Sequence, residues 1–540
     1  MSVRLPPHLS VESFNAAIEE FRAALGVDWV FVDDDDVSLY RDAYSPRLGE
    51  SGEKYASAAV APQSVEEVQA VVRTANKYKI PLYPISTGRN LGYGGSAPVL
   101  SGSVVVDLKR MNRILEVNEQ QAYALVEPGV SYFDLYRHLQ EHDIALWVDF
   151  PAPAWGSPVG NALDRGMGGA RVEHSDHWNQ HCGLEVVTPT GEVMRTGMGA
   201  LPGSKTWQTF RWGFGPTLDG LFCQSNFGIV TKMGFRMTRR PEAQLDATVI
   251  LPRFSDLHEA ARITLELIGL DVLRCGCAFA SPALAPVVKA DFPDDSPYWK
   301  LMQQDTQPTD AQMDEYVLFT GKPCWMVMLS FVGVAEVIQA QWAYAAKRYS
   351  VIAGASIPPP KLVTFPIPEE LQAKMPMAPG VPSLSAFSAG TRASRGYDTP
   401  TTGHIWFSPL VPFDGAEIAK AHWVFNHILW KNKVRVFDPF LPNVDSSVCT
   451  MIFGFRFTED HAWNARVRET YAEMVRVGAE HGWGLYRTHT MFMDEAVGTF
   501  SFDDHAQLRF TEKLKDAIDP NGIISAGRYG IWPGYLREKQ

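Results

Sequence analysis

Cysteine is scarce: there are 6 in 540 residues, and no two of them form a CxxC pair. A disulfide scaffold or a thiolate zinc knuckle is therefore not expected. Cys182, Cys223, Cys275, Cys277, Cys324 and Cys449 read as free thiols of a reducing cytoplasm. Long hydrophobic runs are also missing. The most apolar stretch, 324–334, is broken by Ser330 and Gly333 and is too short to cross a bilayer. Residues 1–7 hold one basic residue with no apolar segment behind it, so no secretory signal and no membrane association are expected. Nor is there a basic excess. The formal net charge is −12, which argues against a nucleic-acid partner, whose phosphates call for clustered Lys and Arg. The longest acidic run, Asp33 to Asp36, reads as a solvated loop.

What remains is an ordinary globular composition, 46% hydrophobic and 20% charged. The chain is long enough for two large domains or three ordinary ones, and for a core that encloses a bulky cofactor. Ser64-Val65-Glu66-Glu67 has the pattern of a capping box, and Val65, Val68, Val71, Val72 and Ala75 then fall on one helical face. A strand-like run follows over 80–85, strands are expected at 103–108 and 123–126, and Ser131 opens a helix over 131–142. Near residue 240 the texture changes. Prolines crowd 358–360 and 366–382, and a helix over 459–480 is expected beside a strand over 449–457. A second domain is expected from about 243 to 482.

After the first strand comes Gly88-Arg89-Asn90-Leu91-Gly92-Tyr93-Gly94-Gly95. Glycines at this density let backbone N–H groups converge on a phosphate, because glycine adopts positive φ without steric cost. The segment lacks the lysine of GxxxxGK[ST], and it runs into Ser96-Ala97-Pro98 rather than opening a helix as GxGxxG does. On its own it is equally a tight turn.

In context it is more specific. Residues 84–95 resemble the FAD pyrophosphate loop of the vanillyl-alcohol oxidase family. The resemblance continues in family order through Val126-Glu127-Pro128-Gly129-Val130, Gly160-Asn161-Ala162, Asp176-His177-Trp178, 195–199, 224–232, 403–409, Tyr486-Arg487-Thr488-His489 and 519–524. It implies an α+β, two-domain FAD-binding fold: an FAD domain of 1–242 plus 483–540, and a cap domain, 243–482, covering the isoalloxazine. It implies FAD held by Ser86, Gly88, Arg89, Asn90, Gly92, Gly94, Gly95, Gly160, Asn161, His177, Gly228 and Ile229, and tethered covalently through its 8α-methyl carbon to His404. The cytochrome-linked p-cresol enzymes use a tyrosine tether, so His404 points to the oxidase side, with O2 as acceptor and a cytochrome as the alternative. A homodimer is implied as well.

The implied substrate is a para-substituted phenol oxidised at the carbon attached to its ring. A phenolate releases a benzylic hydride more readily than a neutral phenol, leaving a p-quinone methide. The resemblance assigns phenolate binding to Tyr93, Tyr486 and Arg487, and a permanent cation at Arg487 lowers the pKa of the bound phenol. Two positions depart from the family pattern. Ala152 stands where the oxidases carry an aspartate near the flavin, which leaves Asp149, Asp438 and Asp445 as substitutes, and Gly169 stands where relatives often carry tyrosine. Both changes remove volume. With Trp406 and Trp155 as flat walls, they suggest a pocket for bulky, lignin-derived aromatics. The rival from another class is a metal-dependent hydrolase using His174, His177 and His181, whose HxxHxxxH spacing could line one helical face; no HExxH accompanies it, and no metal is expected.

Overall fold

The computed structural model describes residues 5–6, 8–151, 154–168, 176–275, 277–284, 297–372, 374–375, 379–384, 402–445 and 447–537; over 437–445 only the backbone is described. The glycine-rich segment leaves a small sheet ordered Val30–Phe31, Ala58–Val60, Val104–Asp107, Leu82–Ile85. Ala58–Val60 and Leu82–Ile85 both run parallel to Val104–Asp107. A helix, Val65–Tyr78, makes the crossover between them, and Val68, Val71, Val72 and Ala75 are buried on its inner face as their spacing predicts. Ser64 caps it, accepting from the Glu67 N–H at 3.2 Å. The Glu67 carboxylate accepts instead from Gln63 N–H at 2.8 Å, so only one arm of the expected capping box forms. Complete boxes form at Ser131 and Asp134, opening Tyr132–Glu141, and at Thr309 and Gln312, opening Asp310–Thr320.

Beyond the glycine-rich loop lies a five-stranded antiparallel sheet, Ile114–Asn118, Tyr123–Val126, Ile229–Arg236, His181–Val187, Val193–Arg195. The C-terminal segment returns to the first sheet. Leu82 N–H donates to Ile523 C=O at 2.6 Å, and Ser525 N–H donates to Leu82 C=O at 2.8 Å. The buried Lys515 ammonium secures this return, donating to the Asn226 and Ile524 carbonyls at 2.8 and 2.7 Å and pairing with Asp519 at 2.7 Å.

A nine-stranded sheet lies between these segments in sequence, built from strands within 243–457. Along Ala243–Leu251 the buried Leu245, Ala247, Val249 and Leu251 alternate with half-buried Asp246, Thr248 and Ile250, the period of a strand with one face in a core. The expected strand over 449–457 breaks at Met451 into Val448–Thr450 and Ile452–Phe457, while the helix after it runs His461–Glu480 from an Asp460 cap. Gly403–Phe407 pairs with Ile452–Phe457. Ile405 and Phe407 enter the core of this region, so the strand period puts His404 and Trp406 on the opposite face. Among the described residues, no helix is long and apolar enough to cross a membrane, and all six cysteines are free thiols.

Candidate active site

The loop after Leu82–Ile85 folds on itself: the N–H groups of Tyr93 and Gly95 both donate to the Asn90 carbonyl, at 3.1 and 3.0 Å. The Gly88 and Arg89 N–H groups take no acceptor among the described residues, and Ser86 to Gly88 stay half-buried beside a fully buried strand. Gly92 has φ +79°, and a Cβ there would lie 2.9 Å from Trp406 Cδ1, so the loop presses against the His404 strand with no room for a side chain. Gly160, behind the loop, has the same tightness toward Ser86, whose Oγ lies 2.2 Å from its Cβ position. Spare N–H donors on a loop held open at a sheet edge fit the phosphate of a dinucleotide.

Below the loop is a buried charge cluster. Asp164 accepts from Arg487 at 2.7 Å, from Arg528 at 2.6 Å and from Asn90 at 2.8 Å, and also from the Tyr529 hydroxyl. Arg487 also donates to Asn90 Oδ1 at 2.5 Å, and its guanidinium lies 3.9 Å over the Tyr93 ring. Burial would raise the Asp164 carboxyl, but Arg487 and Arg528 outweigh it and hold its pKa at about 2. One carboxylate thus sits between two guanidiniums, and the cluster keeps a surplus positive charge at any working pH. Burial pushes the Tyr93 and Tyr486 hydroxyls up, so both remain O–H donors. The Tyr486 carbonyl accepts from the Gln224 amide at 2.9 Å, which ties the strand approach to this end of the site. A surplus cation with two phenolic donors suits a bound oxyanion.

His404 is buried 4.8 Å from the Tyr44 ring and 4.7 Å from the Trp406 ring, measured between ring centroids. Burial lowers its pKa to about 4, with Asp42 acting weakly the other way, so its imidazole is neutral and keeps a lone pair. His177 contacts the Tyr132 hydroxyl at 2.7 Å, as well as the Asn161 amide.

Asn90 turns inward to Asp164 and Arg487, and Asn161 to His177, so both brace the site from within. Arg89 is exposed and lies 4.2 Å over the Trp155 ring, and Trp155, 45% exposed, is no wall of an enclosed pocket. Gly228 is a packing glycine, its Cβ position 2.6 Å from Val186, at the start of the strand that Ile229 opens. Asp149 is buried with its Oδ2 3.8 Å from His177 Nε2. His177 lies on the four-residue helix His177–Gln180, whereas His181 begins a strand and stacks on Trp178, so these two histidines do not share a helical face. Among the described residues no His, Cys, Asp or Glu group is arranged to hold a metal. Ala152, Gly169 and His174 lie outside the described residues, as do the side chains of Asp438 and Asp445. The sequence reading missed Asp164, Arg528 and Tyr529. The available signal was their position: Asp164 lies just past Gly160-Asn161-Ala162, and Arg528-Tyr529 just past 519–524.

Comparison with known proteins gives two matching family models, an FAD binding domain over residues 56–197 and the C-terminal domain of FAD linked oxidases over 444–529. The chain is 32% identical to the 4-cresol dehydrogenase [hydroxylating] flavoprotein subunit of Pseudomonas putida, across 98% of this chain and 97% of that one. It is 40% identical to the 1'-carboxy-chondrochloren decarboxylase of Chondromyces crocatus, across 97% and 99%. Among solved structures, it is similar to 4-ethylphenol oxidase from Gulosibacter chungangensis in its isoeugenol complex, with a TM-score of 0.83 and 34% identity, covering 99% of this chain and 100% of that one.

Proposed function

The chain belongs to the vanillyl-alcohol oxidase/p-cresol methylhydroxylase family of FAD-linked oxidoreductases, and from that premise we propose that it oxidises para-substituted phenols at the benzylic carbon through a p-quinone methide. The observation that carries this reading is the surplus cation at Arg487, Arg528 and Asp164 beside two protonated tyrosines. Tyr93 and Tyr486 donate to the phenolic oxygen and Arg487 supplies the charge that favours the phenolate, raising electron density at the para carbon. The FAD, when bound, supplies the acceptor for the hydride. We assign it to the 86–95 loop with Gly160 and His177, with neutral His404 as its covalent tether, in a unit of 1–242 plus 483–540 under a cap of 243–482. O2 is the proposed oxidant and a homodimer the proposed assembly. The test is a substrate pair: a 4-alkylphenol should be turned over and its methyl ether, which cannot ionise, should not. Comparable rates for the two would reject the phenolate mechanism.

A second reading concerns the fate of the quinone methide, and it is favoured by Ala152 together with the 40% identical relative named as a decarboxylase. Alanine can neither take a proton from the substrate nor activate water. A phenol with a carboxylate on the carbon next to the benzylic one needs neither. After hydride loss, the C–CO2− bond breaks, its electron pair forms the side-chain double bond, the ring returns to a phenolate, and CO2 leaves. With 3-(4-hydroxyphenyl)propanoate the products are then 4-vinylphenol and one CO2 per hydride transferred. Oxidation of this acid without CO2 release would eliminate the reading.

A further inference from the structure

A guanidinium carries its N–H donors in one plane, so the donors already taken decide which edge is left for a ligand. On Arg487, Nε and Nη2 both donate to Asp164 Oδ2, at 3.1 and 2.7 Å, and Nη2 donates again to Asn90 Oδ1 at 2.5 Å. The Tyr93 ring covers one face of the group, its centroid 3.9 Å from the guanidinium carbon. Nη1 takes no acceptor among the described residues. The edge that carries Nη1 is the one left to offer.

Asp164 is itself held from behind. It is buried and caps the C-terminal end of the helix Pro158–Leu163. Its Oδ1 accepts from Arg528 Nη2 at 2.6 Å and from the Tyr529 hydroxyl, and its Oδ2 accepts from the Asn90 amide at 2.8 Å. Arg528 is fixed in turn by donating to the hydroxyl of Tyr83, on the strand Leu82–Ile85. Tyr529 has φ +54°, a left-handed conformation that a bulky side chain rarely adopts. Strain of this kind persists where the surrounding structure over-determines it, and here it sits where the tyrosine hydroxyl meets the carboxylate.

We propose that Asp164 is a positioning residue for substrate recognition: it turns the Nη1 edge of Arg487 toward the phenolate oxygen, and Asn90, Arg528 and Tyr529 hold it in place to do so. The inference rests on the phenol reading and adds to it a residue that does not touch the substrate. Its sign makes it specific. As a charge alone, Asp164 opposes the phenolate, so removing it would leave the cluster more positive and the phenolate bound more tightly. As the group that aims Arg487, its loss weakens binding in spite of the added positive charge.

The probe is 4-nitrophenol, which has no para carbon to oxidise and whose colour reports its ionised form. It is titrated into the FAD-loaded protein and read by difference absorbance. The wild type should bind it as the phenolate. Asp164→Asn, and Asp164→Glu, which keeps the charge but lengthens the side chain, should each weaken binding roughly tenfold or more, the scale of one charge-assisted hydrogen bond. Tyr529→Phe, which keeps every charge, should move affinity the same way by a smaller factor, so the test survives an Asp164 variant that fails to fold. In an Arg487→Ala background, Asp164→Glu should change affinity by less than about twofold, because a residue acting through Arg487 has nothing left to aim. Unchanged or tighter binding by folded Asp164→Asn would overturn the proposal and leave the phenol reading standing. So would an unchanged Tyr529→Phe, or a full Asp164→Glu effect without Arg487. A wild type that does not bind 4-nitrophenol as the phenolate would remove both.

Discussion

At the scale of single residues, burial disfavours the charged form of both Asp164 and His404, and only at Asp164 do opposite charges overcome it. Asp164 is enclosed with two guanidiniums, which keep it ionised with a pKa of about 2. His404 is enclosed among Tyr44, Trp406 and strand backbone, and burial keeps it neutral down to about pH 4. A carboxyl lowered from its usual 3.8 contributes stability above that value and loses it as the pH falls through about 2. Asp164→Asn should therefore destabilise at neutral pH, by about 3–5 kcal/mol because two buried cations lose their shared partner. Denaturant unfolding at pH 7 measures this, and a change under about 1 kcal/mol would mean that Arg487 and Arg528 find other partners. For His404 the expected outcome is chemical. Acid precipitation should leave yellow colour in the wild-type pellet, and His404→Ala should release it to the supernatant.

At the scale of elements, the loop over 86–95 and the strand Gly403–Phe407 form one clamp, and Gly92 is where they touch. A side chain there meets both a left-handed φ of +79° and the Trp406 ring. The first alone costs about 1–2 kcal/mol for a non-glycine residue. In a His404→Ala background, where FAD is free to dissociate, adding Gly92→Ala should weaken FAD binding roughly tenfold or more, the equivalent of about 1.4 kcal/mol. Fluorescence titration of FAD reads this directly, and unchanged affinity would separate the loop from the cofactor. Helix starts at Ser64 and Ser131 were legible in the sequence because these side chains act on the nearest N–H groups. The break at Met451 was not, since apolar residues run through it and both strands pair with Val436–Asp445; only their other neighbours, Leu410–Pro412 and Gly403–Phe407, differ.

At the scale of the whole molecule, residues from both ends of the chain complete one charge cluster: Asn90 and Asp164 from the first part, Arg487 and Arg528 from the last. The proposed enlarged pocket rests on the sequence, where Ala152 and Gly169 stand at positions expected to carry larger side chains in the oxidases. If that volume is open, a two-ring phenol with an aryl-bearing side chain should match or exceed a small 4-alkylphenol in kcat/KM. A preference of tenfold or more for the small phenol, about 1.4 kcal/mol in the transition state, would reject the enlarged pocket. If the larger substrate wins, Ala152→Asp should shift the preference back.

The sequence by itself determined the family and the places of its motifs along the chain, the glycine-rich loop, the segment around His404 and the Tyr486-Arg487 pair. Each is a short local motif whose residues are adjacent in the chain, so order along the chain is enough to read it. Only the tertiary structure decided what Arg487 does with its charge. Its carboxylate partner lies more than three hundred positions away, shared with an arginine from the C-terminal return. The sign and strength of a charge depend on what surrounds it in space, and neither composition nor spacing carries that information. The same holds for the Arg89 side chain and Trp155, whose meeting at the surface, guanidinium over indole, is not written in their spacing.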